Sequence, residues 1–208
     1  MSKDLSKIYL ITPPKIEDEV YFSTLENVLS SKIVGFLQVR LKNVEDKKII
    51  EICKIIRPIC DRYKIPLILN DRLDLVKSCN ADGVHLGQED KSVRDARVFL
   101  GSNFIIGASC YNSKHLAMEA AENGADYVAF GAFFESKTKV PKTRVEIKII
   151  EDWNFISNIP CVAIGGITPH NCKELIKAGA DYLAVIGGIW DFNKTPEKAI
   201  IDFEKILN

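Results

Sequence analysis

The sequence predicts an α/β protein, a single (β/α)8 TIM barrel spanning residues 1–208 as one domain. Three observations predict it. Short, nearly continuous apolar runs recur along the chain, as parallel strands buried on both faces require. Helical patterns fill the gaps, so strand and helix alternate throughout. A junction of one form, Ala-Asp then a buried strand then Gly, recurs in "NADGVHLG" (80–87), "GADYVAFG" (124–131) and "GADYLAVIG" (179–187). Its spacing is too irregular for a solenoid but suits repeated helix-to-strand turns. No Pro/Gly/Ser-rich linker divides the chain. An open doubly wound sheet is the alternative. It would usually need fewer strands, and no GxGxxG follows the first one.

The eight strands are expected at 7–12, 35–42, 66–71, 83–87, 104–109, 127–134, 160–167 and 182–190. Between them, residues 44–63 place Ile49, Ile52, Cys53, Ile56, Ile59, Cys60 and Tyr63 on one helical stripe. Pro58 is expected to kink or stop that helix. A further helix is expected over 72–79. "YNSKHLAMEAAENG" offers Asn112 or Ser113 as N-cap and Gly124 as stop. "TPHNCKELIKAG" reads as a helix with Thr168 as N-cap, Pro169 as first residue and Gly179 as C′; a Thr-Pro start recurs at 195–196. In the repeated junction, Asp82, Asp126 and Asp181 fall at strand starts, the stability end of a barrel, so a structural role is expected for all three.

Composition excludes some functions. Lys plus Arg and Asp plus Glu are both 28, a formal net charge of zero. Such a chain has no long-range pull towards nucleic acid or an anionic membrane, while a local basic site for a small phosphorylated ligand stays open. The N-terminal residues lack the apolar stretch of a signal peptide and no run approaches a bilayer span, so a cytoplasmic protein is expected. Homo-oligomerisation is left open. The six cysteines, at 53, 60, 79, 110, 161 and 172, form no CxxC pair and no zinc-finger spacing with His. They read as small buried hydrophobes in a reducing compartment.

The chemistry is expected where a parallel barrel keeps it, just after the strands, around one mouth. Strand two supplies Gln38, Arg40 and Lys42 at alternate positions, so their side chains are expected to point the same way. Strand three ends in Asn70 and Asp71. The loop after strand four carries Gln88, Glu89 and Asp90, strand five ends at Ser109, and "ESKTKVPK" (135–142) follows strand six. Asp71 and Asp90, beside Arg40, Lys42 and Lys139, suggest a hard-cation site next to an anion site. Mg²⁺ takes one or two carboxylates and lets phosphate and water complete its shell. The bland alternative is that each Asp caps a helix after its strand. "AIGGITP" and "VIGGIW", on the last two strands, read as a phosphate cradle in which glycines admit backbone N–H groups to an anion. His85 either faces the barrel interior near the site or is a satisfied buried histidine; His115 and His170 are expected to face solvent. No catalytic triad stands out.

Taken together and in order, "QVRLK", "ND", "GVHLGQED", "FGAFFESKTK", "AIGGI" and "VIGG" resemble thiamine phosphate synthases over residues 7 to about 190. The resemblance implies a transferase that joins hydroxymethylpyrimidine pyrophosphate to a thiazole phosphate, with Mg²⁺ as cofactor and pyrophosphate as leaving group. It implies that Gln38, Arg40, Lys42 and Asn70 hold the pyrimidine substrate and that Asp71 and Asp90 hold Mg²⁺. Ser109 and Lys139 would contact the departing pyrophosphate, with Arg40, Ser109 and Lys139 as the catalytic side chains. Ser136, Thr138, Gly166, Ile186 and Gly187 would hold the thiazole phosphate, the last three largely through backbone. The chain departs from the family pattern after strand six: Ala132 and Glu135 stand where prolines are usual, and Ser136 where Thr is. Gly187 replaces the usual Ser. Glu135 is expected to point to solvent, since facing the phosphate it would repel it.

Two rival readings accompany this one. The sister branch isomerises a thiazole phosphate tautomer; it typically lacks the second metal acid and carries a His shortly after the strand-five Ser, whereas this chain has "GQED" and "SCYN". A non-catalytic phosphate-ligand binder on a decayed barrel is the other, motivated by the altered loop.

Overall fold

The computed structural model describes residues 6–16, 18–135, 145–192 and 195–207. Its strands are β1 (Lys7–Ile11), β2 (Val34–Val39), β3 (Leu67–Asn70), β4 (Gly83–Leu86), β5 (Ile105–Tyr111), β6 (Tyr127–Phe130), β7 (Cys161–Ile164) and β8 (Tyr182–Val185). Each pairs in parallel with its neighbour in chain order, and β8 returns to β1 to close the barrel. The helices are α1 (Val20–Leu29), α2 (Asp46–Tyr63), α3 (Val93–Leu100), α4 (Lys114–Glu122), α5 (Lys148–Ile156), α6 (Lys173–Lys177), α7 (Gly187–Trp190) and α8 (Pro196–Leu207). The predicted (β/α)8 barrel is therefore the observed architecture.

Strand alternation divides the core in two. Outward residues such as Leu37, Val84, Val128 and Leu183 pack against the helices in one large apolar cluster. Inward residues Tyr9, Ile11, Tyr127, Ala129, Val162 and Ala184 fill the barrel, with Phe36, Ile105, Ile164 and Tyr182 against them. The interior carries an unusual aromatic content: Tyr9 stacks on Phe36 at 5.2 Å, and Phe36 meets Tyr182 edge-on at 5.0 Å. All six cysteines are buried and unpaired, as expected.

The repeated Asp performs one structural task three times. Asp82 donates its N–H to the Leu67 carbonyl, and its carboxylate accepts the Leu67 N–H at 2.7 Å. Asp126 brackets Ile106 in the same way, and Asp181 brackets Cys161. Each clamp satisfies a backbone group at a strand start, where no preceding strand residue offers a partner. Arg57 and Arg97 neutralise two of the three, reaching Asp82 and Asp126 at 2.7 Å each.

Several boundaries differ from the sequence expectation. Pro58 lies inside α2 without ending it; Pro58 and Lys54 are both exposed, so the carbonyl deprived of its helical donor faces water. Residues 72–79 form a 3-10 turn at Leu73–Leu75 followed by further turns, not an α-helix. α4 is capped by Ser113, whose hydroxyl accepts the Leu116 N–H, and Gly124 follows its end at φ +94°. Thr168 is not the cap of α6: Asn171 turns back to accept the Thr168 N–H at 2.8 Å, and the helix begins only at Lys173. Strands β2, β6, β7 and β8 stop at Val39, Phe130, Ile164 and Val185, short of the apolar runs that contain them.

Candidate active site

The loop after β2 carries the cationic side of the mouth. Gln38 is the last inward residue of the strand and is buried. Arg40 and Lys42 lie beyond the strand rather than on it, so their directions are set by loop contacts and not by the pleat. The Arg40 N–H donates to Thr12 Oγ1 at 3.0 Å and the Lys42 N–H to the Pro14 carbonyl at 3.1 Å. These bonds stitch the loop after β2 to the loop after β1. Thr12 is fully buried and is a supporting residue that sequence reasoning missed. The Arg40 guanidinium is half-buried yet makes no hydrogen bond or ion pair among the described residues. Burial lowers its pKa, and the nearby Asp71 charge works in the opposite direction.

Asp71 follows β3 at φ +63°, a backbone region that costs most side chains energy but that Asp tolerates. Its N–H donates to the His85 carbonyl at 2.8 Å, which turns the carboxylate towards Lys42, 2.9 Å away. Burial raises the Asp71 pKa, but the Lys42 hydrogen bond and charge outweigh it and hold the group below the usual carboxylate range. Asp90 comes from the next loop. It accepts the Gly87 N–H at 2.7 Å and lies beside Asp71. Desolvation raises the Asp90 pKa, the Gly87 N–H opposes this, and the Asp71 charge adds to the rise. Neither acid caps a helix: Ser92 caps α3, and the 3-10 turn after Asp71 has no side-chain cap.

The acids suit a hard cation. Two carboxylates from adjacent strand ends repel each other, and a divalent ion between them would reverse that repulsion. Among the described residues no group of three or more His, Cys, Asp or Glu could hold a metal ion. A pair of carboxylates is the protein share that Mg²⁺ commonly takes, with water and phosphate oxygens completing its shell.

Inside the barrel, His85 resolves both readings of it at once. It faces the interior and is satisfied: Nδ1 lies 3.0 Å from the Tyr127 hydroxyl and Nε2 lies 2.8 Å from Ser109 Oγ. Burial pushes the imidazole pKa down to about 4, with the Asp71 charge opposing. Tyr127 continues to Tyr9 at 2.7 Å, and Gln38 Nε2 donates to the Tyr9 hydroxyl at 3.1 Å. Gln88 reaches across from the β4 loop to donate to the Ser109 carbonyl at 2.5 Å. His115 and His170 are exposed, as expected.

The β6–β8 side is built from backbone. Residues 133–135 run along the end of β7, with the Phe133 and Phe134 N–H groups donating to Ile164 and Gly165 carbonyls at 3.2 and 3.1 Å. A Cβ at Gly166 would lie 2.2 Å from the Glu135 carbonyl oxygen, and φ there is +62°. This glycine is therefore demanded by chain packing whether or not an anion lies beside it. Asn171 holds the same turn by donating to the Gly166 carbonyl at 2.9 Å. Ile186 follows β8 at the N-cap position of α7, and Gly187 opens that helix. Glu135 is exposed, as expected. Ser136, Thr138 and Lys139 lie outside the described residues. The structure thus gathers Gln38, Arg40, Lys42, Asn70, Asp71, Asp90 and Ser109 at the C-terminal ends of β2–β5, and Gly166, Ile186 and Gly187 at the ends of β7 and β8.

Comparison with known proteins places this geometry in a family. The family model described as thiamine monophosphate synthase matches residues 8–189. The chain is 44% identical over 201 residues to a thiamine-phosphate synthase of Rhodospirillum centenum, covering 97% of each chain. It is 41% identical to one from Hyphomonas neptunium, covering 97% of this chain and 94% of that one. Among solved structures, a thiamine phosphate pyrophosphorylase from Pyrococcus furiosus superposes with a TM-score of 0.84 at 32% identity, covering 97% of this chain and 95% of that one. Barrel, strand-end residues and similarity over nearly the whole length agree, and the chain belongs to the thiamine monophosphate synthase family.

Proposed function

We propose that this chain joins hydroxymethylpyrimidine pyrophosphate to a thiazole phosphate, giving thiamine phosphate and pyrophosphate. The observation that carries the site assignment is the half-buried Arg40, without a hydrogen bond or ion pair among the described residues, beside the Lys42–Asp71–Asp90 cluster. Partial desolvation of a cation is costly, and an anionic substrate repays that cost. The synthase name of the relatives supports this reading over the tautomerase and the non-catalytic binder.

In this reading Gln38, Arg40, Lys42 and Asn70 bind the pyrimidine pyrophosphate. Asp71 and Asp90 would hold Mg²⁺, which when bound would stabilise negative charge on the pyrophosphate. The bond between the pyrimidine methylene carbon and the pyrophosphate oxygen breaks, and its electron pair leaves with the oxygen. Ser109, Lys139 and Arg40 donate to the charge that develops there. The thiazole nitrogen then gives its lone pair to the methylene cation, closing the new C–N bond. Ser136, Thr138 and the backbone of Gly166, Ile186 and Gly187 position the thiazole phosphate. No general base is needed to begin, which suits a site whose one interior histidine is buried and neutral.

The test mixes the protein with both substrates and Mg²⁺ and follows thiamine phosphate. Product that vanishes with EDTA and returns with excess Mg²⁺ is expected. Folded protein that binds thiazole phosphate yet yields no product would overturn the synthase reading.

A further inference from the structure

The side chains between Gln38 and Ser109 form an unbroken line across the barrel interior: Gln38, Tyr9, Tyr127, His85, Ser109. It joins β2, β1, β6, β4 and β5, so no short stretch of sequence displays it. Three of its five members, Tyr9, Tyr127 and His85, have no role in the mechanism above.

We propose that His85 is a positioning residue, and that this line runs in one direction, fixing His85 as the Nε2–H tautomer so that Ser109 presents its hydroxyl proton to the leaving pyrophosphate. The proposal rests on the function inferred above for its consequence, but the direction of the line follows from counting protons.

Gln38 Nε2 can only donate, and it donates to the Tyr9 hydroxyl at 3.1 Å. Tyr9 is 1% exposed, and its other hydrogen-bond neighbour is the Tyr127 hydroxyl at 2.7 Å. The single Tyr9 proton therefore goes to Tyr127. Tyr127, now an acceptor there, passes its own proton to His85 Nδ1 at 3.0 Å. A neutral imidazole that accepts at Nδ1 carries its proton on Nε2. Nε2 lies 2.8 Å from Ser109 Oγ and donates to it. The serine oxygen receives a hydrogen bond from within the barrel, and its own proton is left for the mouth. The opposite direction would strand the buried Tyr9 proton against an N–H group, with no acceptor.

The surroundings keep the line intact. Burial raises both phenols well above their ordinary range, so each retains the proton that the count requires. His85 and Tyr127 lie nearly parallel, with ring centroids 5.6 Å apart. Gly107 leaves the space for Tyr127: a Cβ there would fall 1.9 Å from the Tyr127 ring. At the opposite end, using Nε2 on Tyr9 leaves the Gln38 Oε1 free to accept, which suits an amino group on the pyrimidine. One chain of protons thus presets an acceptor at one end of the mouth and a donor at the other.

The first test needs no turnover. ¹⁵N-histidine-labelled protein, with His85 signals assigned by their loss in His85→Gln, should show a pyridine-type Nδ1 and a protonated Nε2. An Nδ1–H tautomer would overturn the proposal, and it would do so whether or not the protein makes thiamine phosphate. The second test uses Ser109→Ala, Tyr127→Phe and the double variant. Each single change should lower kcat about tenfold, with KM for the pyrimidine pyrophosphate changed far less. The double variant should be no slower than Ser109→Ala alone, because both break the same line. Losses that multiply would refute the positioning role even if the tautomer is as stated. Absence of turnover in the unaltered protein would instead refute the synthase reading and leave the tautomer result standing.

Discussion

The two halves of the mouth are made from different materials. On the β2–β5 side the functional groups are side chains, and almost every one is held by a second residue: Lys42 by Asp71, Asp90 by the Gly87 N–H, Ser109 by His85 and Gln88. On the β7–β8 side the groups are backbone, and at Gly166 a glycine is there because the chain crowds it. The first kind of half can be disabled chemically with the fold intact. The second can scarcely be altered without moving the chain itself. Substitutions in the two halves should therefore fail in different ways, activity alone on one side and stability first on the other.

The largest effect is expected from the acid pair. Asp71→Asn and Asp90→Asn should each lower kcat/KM on the order of a hundredfold, as loss of a charge-assisted contact to metal or phosphate does. Thermal midpoints should move little, because the Lys42–Asp71 pair is partly exposed at the mouth and such pairs contribute little. A variant that keeps its activity would remove that Asp from the metal assignment. A variant that unfolds would blur the contrast between the halves.

The interior line gives the β2–β5 half an acid sensitivity. The folded pKa of His85 is lowered from 6.5 to about 4, so the unfolded chain binds the extra proton first as pH falls. Stability from this group is complete above about 6.5 and is lost as pH drops towards 4. Between pH 7 and about pH 4.5 the loss should come to roughly 2–3 kcal/mol. Urea midpoints of the wild type and His85→Gln across that window would measure it. Equal slopes for the two would show that carboxylates elsewhere, not His85, set the acid limit.

The sequence disclosed some of these features and hid others for identifiable reasons. Strand positions were readable because each parallel strand is a compact apolar run, and the three Ala-Asp junctions were readable because the same short pattern recurs at each helix-to-strand turn, although each clamp reaches back to the preceding strand. Strand ends were not. Phe133, Ile167 and Ile189 prolong the apolar runs after β6, β7 and β8, yet they are buried beyond the strands, against the outer core. Periodicity cannot separate a buried strand residue from a buried loop residue beside it. The acids and basic residues after strands two to four could be singled out because each lies just beyond a strand, a place that has meaning in a barrel. Tyr9 and Tyr127 were missed because they lie within the apolar strand runs, and their partners come from strands one to three positions away around the barrel. Thr12 and Asn171 were missed because their work is on backbone groups, Thr12 on the loop after β2 and Asn171 on its own loop after β7.

The backbone half supplies a pair of contrasting glycines. Gly166→Ala places a Cβ 2.2 Å from the Glu135 carbonyl, at φ +62°. A destabilisation of about 1–3 kcal/mol is expected, read from the urea midpoint, with any activity loss following from displacement of residues 133–135. Unchanged stability would mean that this turn yields easily, and the contrast between the halves would lose its physical basis.

Gly187→Ser should have the smallest effect and the opposite sign. Its φ is not in the left-handed region, and the nearest atom to an added Cβ is Asp191 Oδ2, 3.1 Å away at the end of an exposed side chain that can swing aside. Stability should stay within about 0.5 kcal/mol of the wild type. If Gly187 lies at the thiazole phosphate, the added hydroxyl contributes one more hydrogen bond to an anion, and KM for the thiazole phosphate should fall about three- to tenfold. The KM of the pyrimidine substrate should not change, since its groups stand on the other half of the mouth. A lower KM for both substrates would mean that the halves are coupled. No change in either would place the thiazole phosphate away from α7 and leave the described end of β7, with Gly166 and its crowded neighbours, as the remaining backbone cradle.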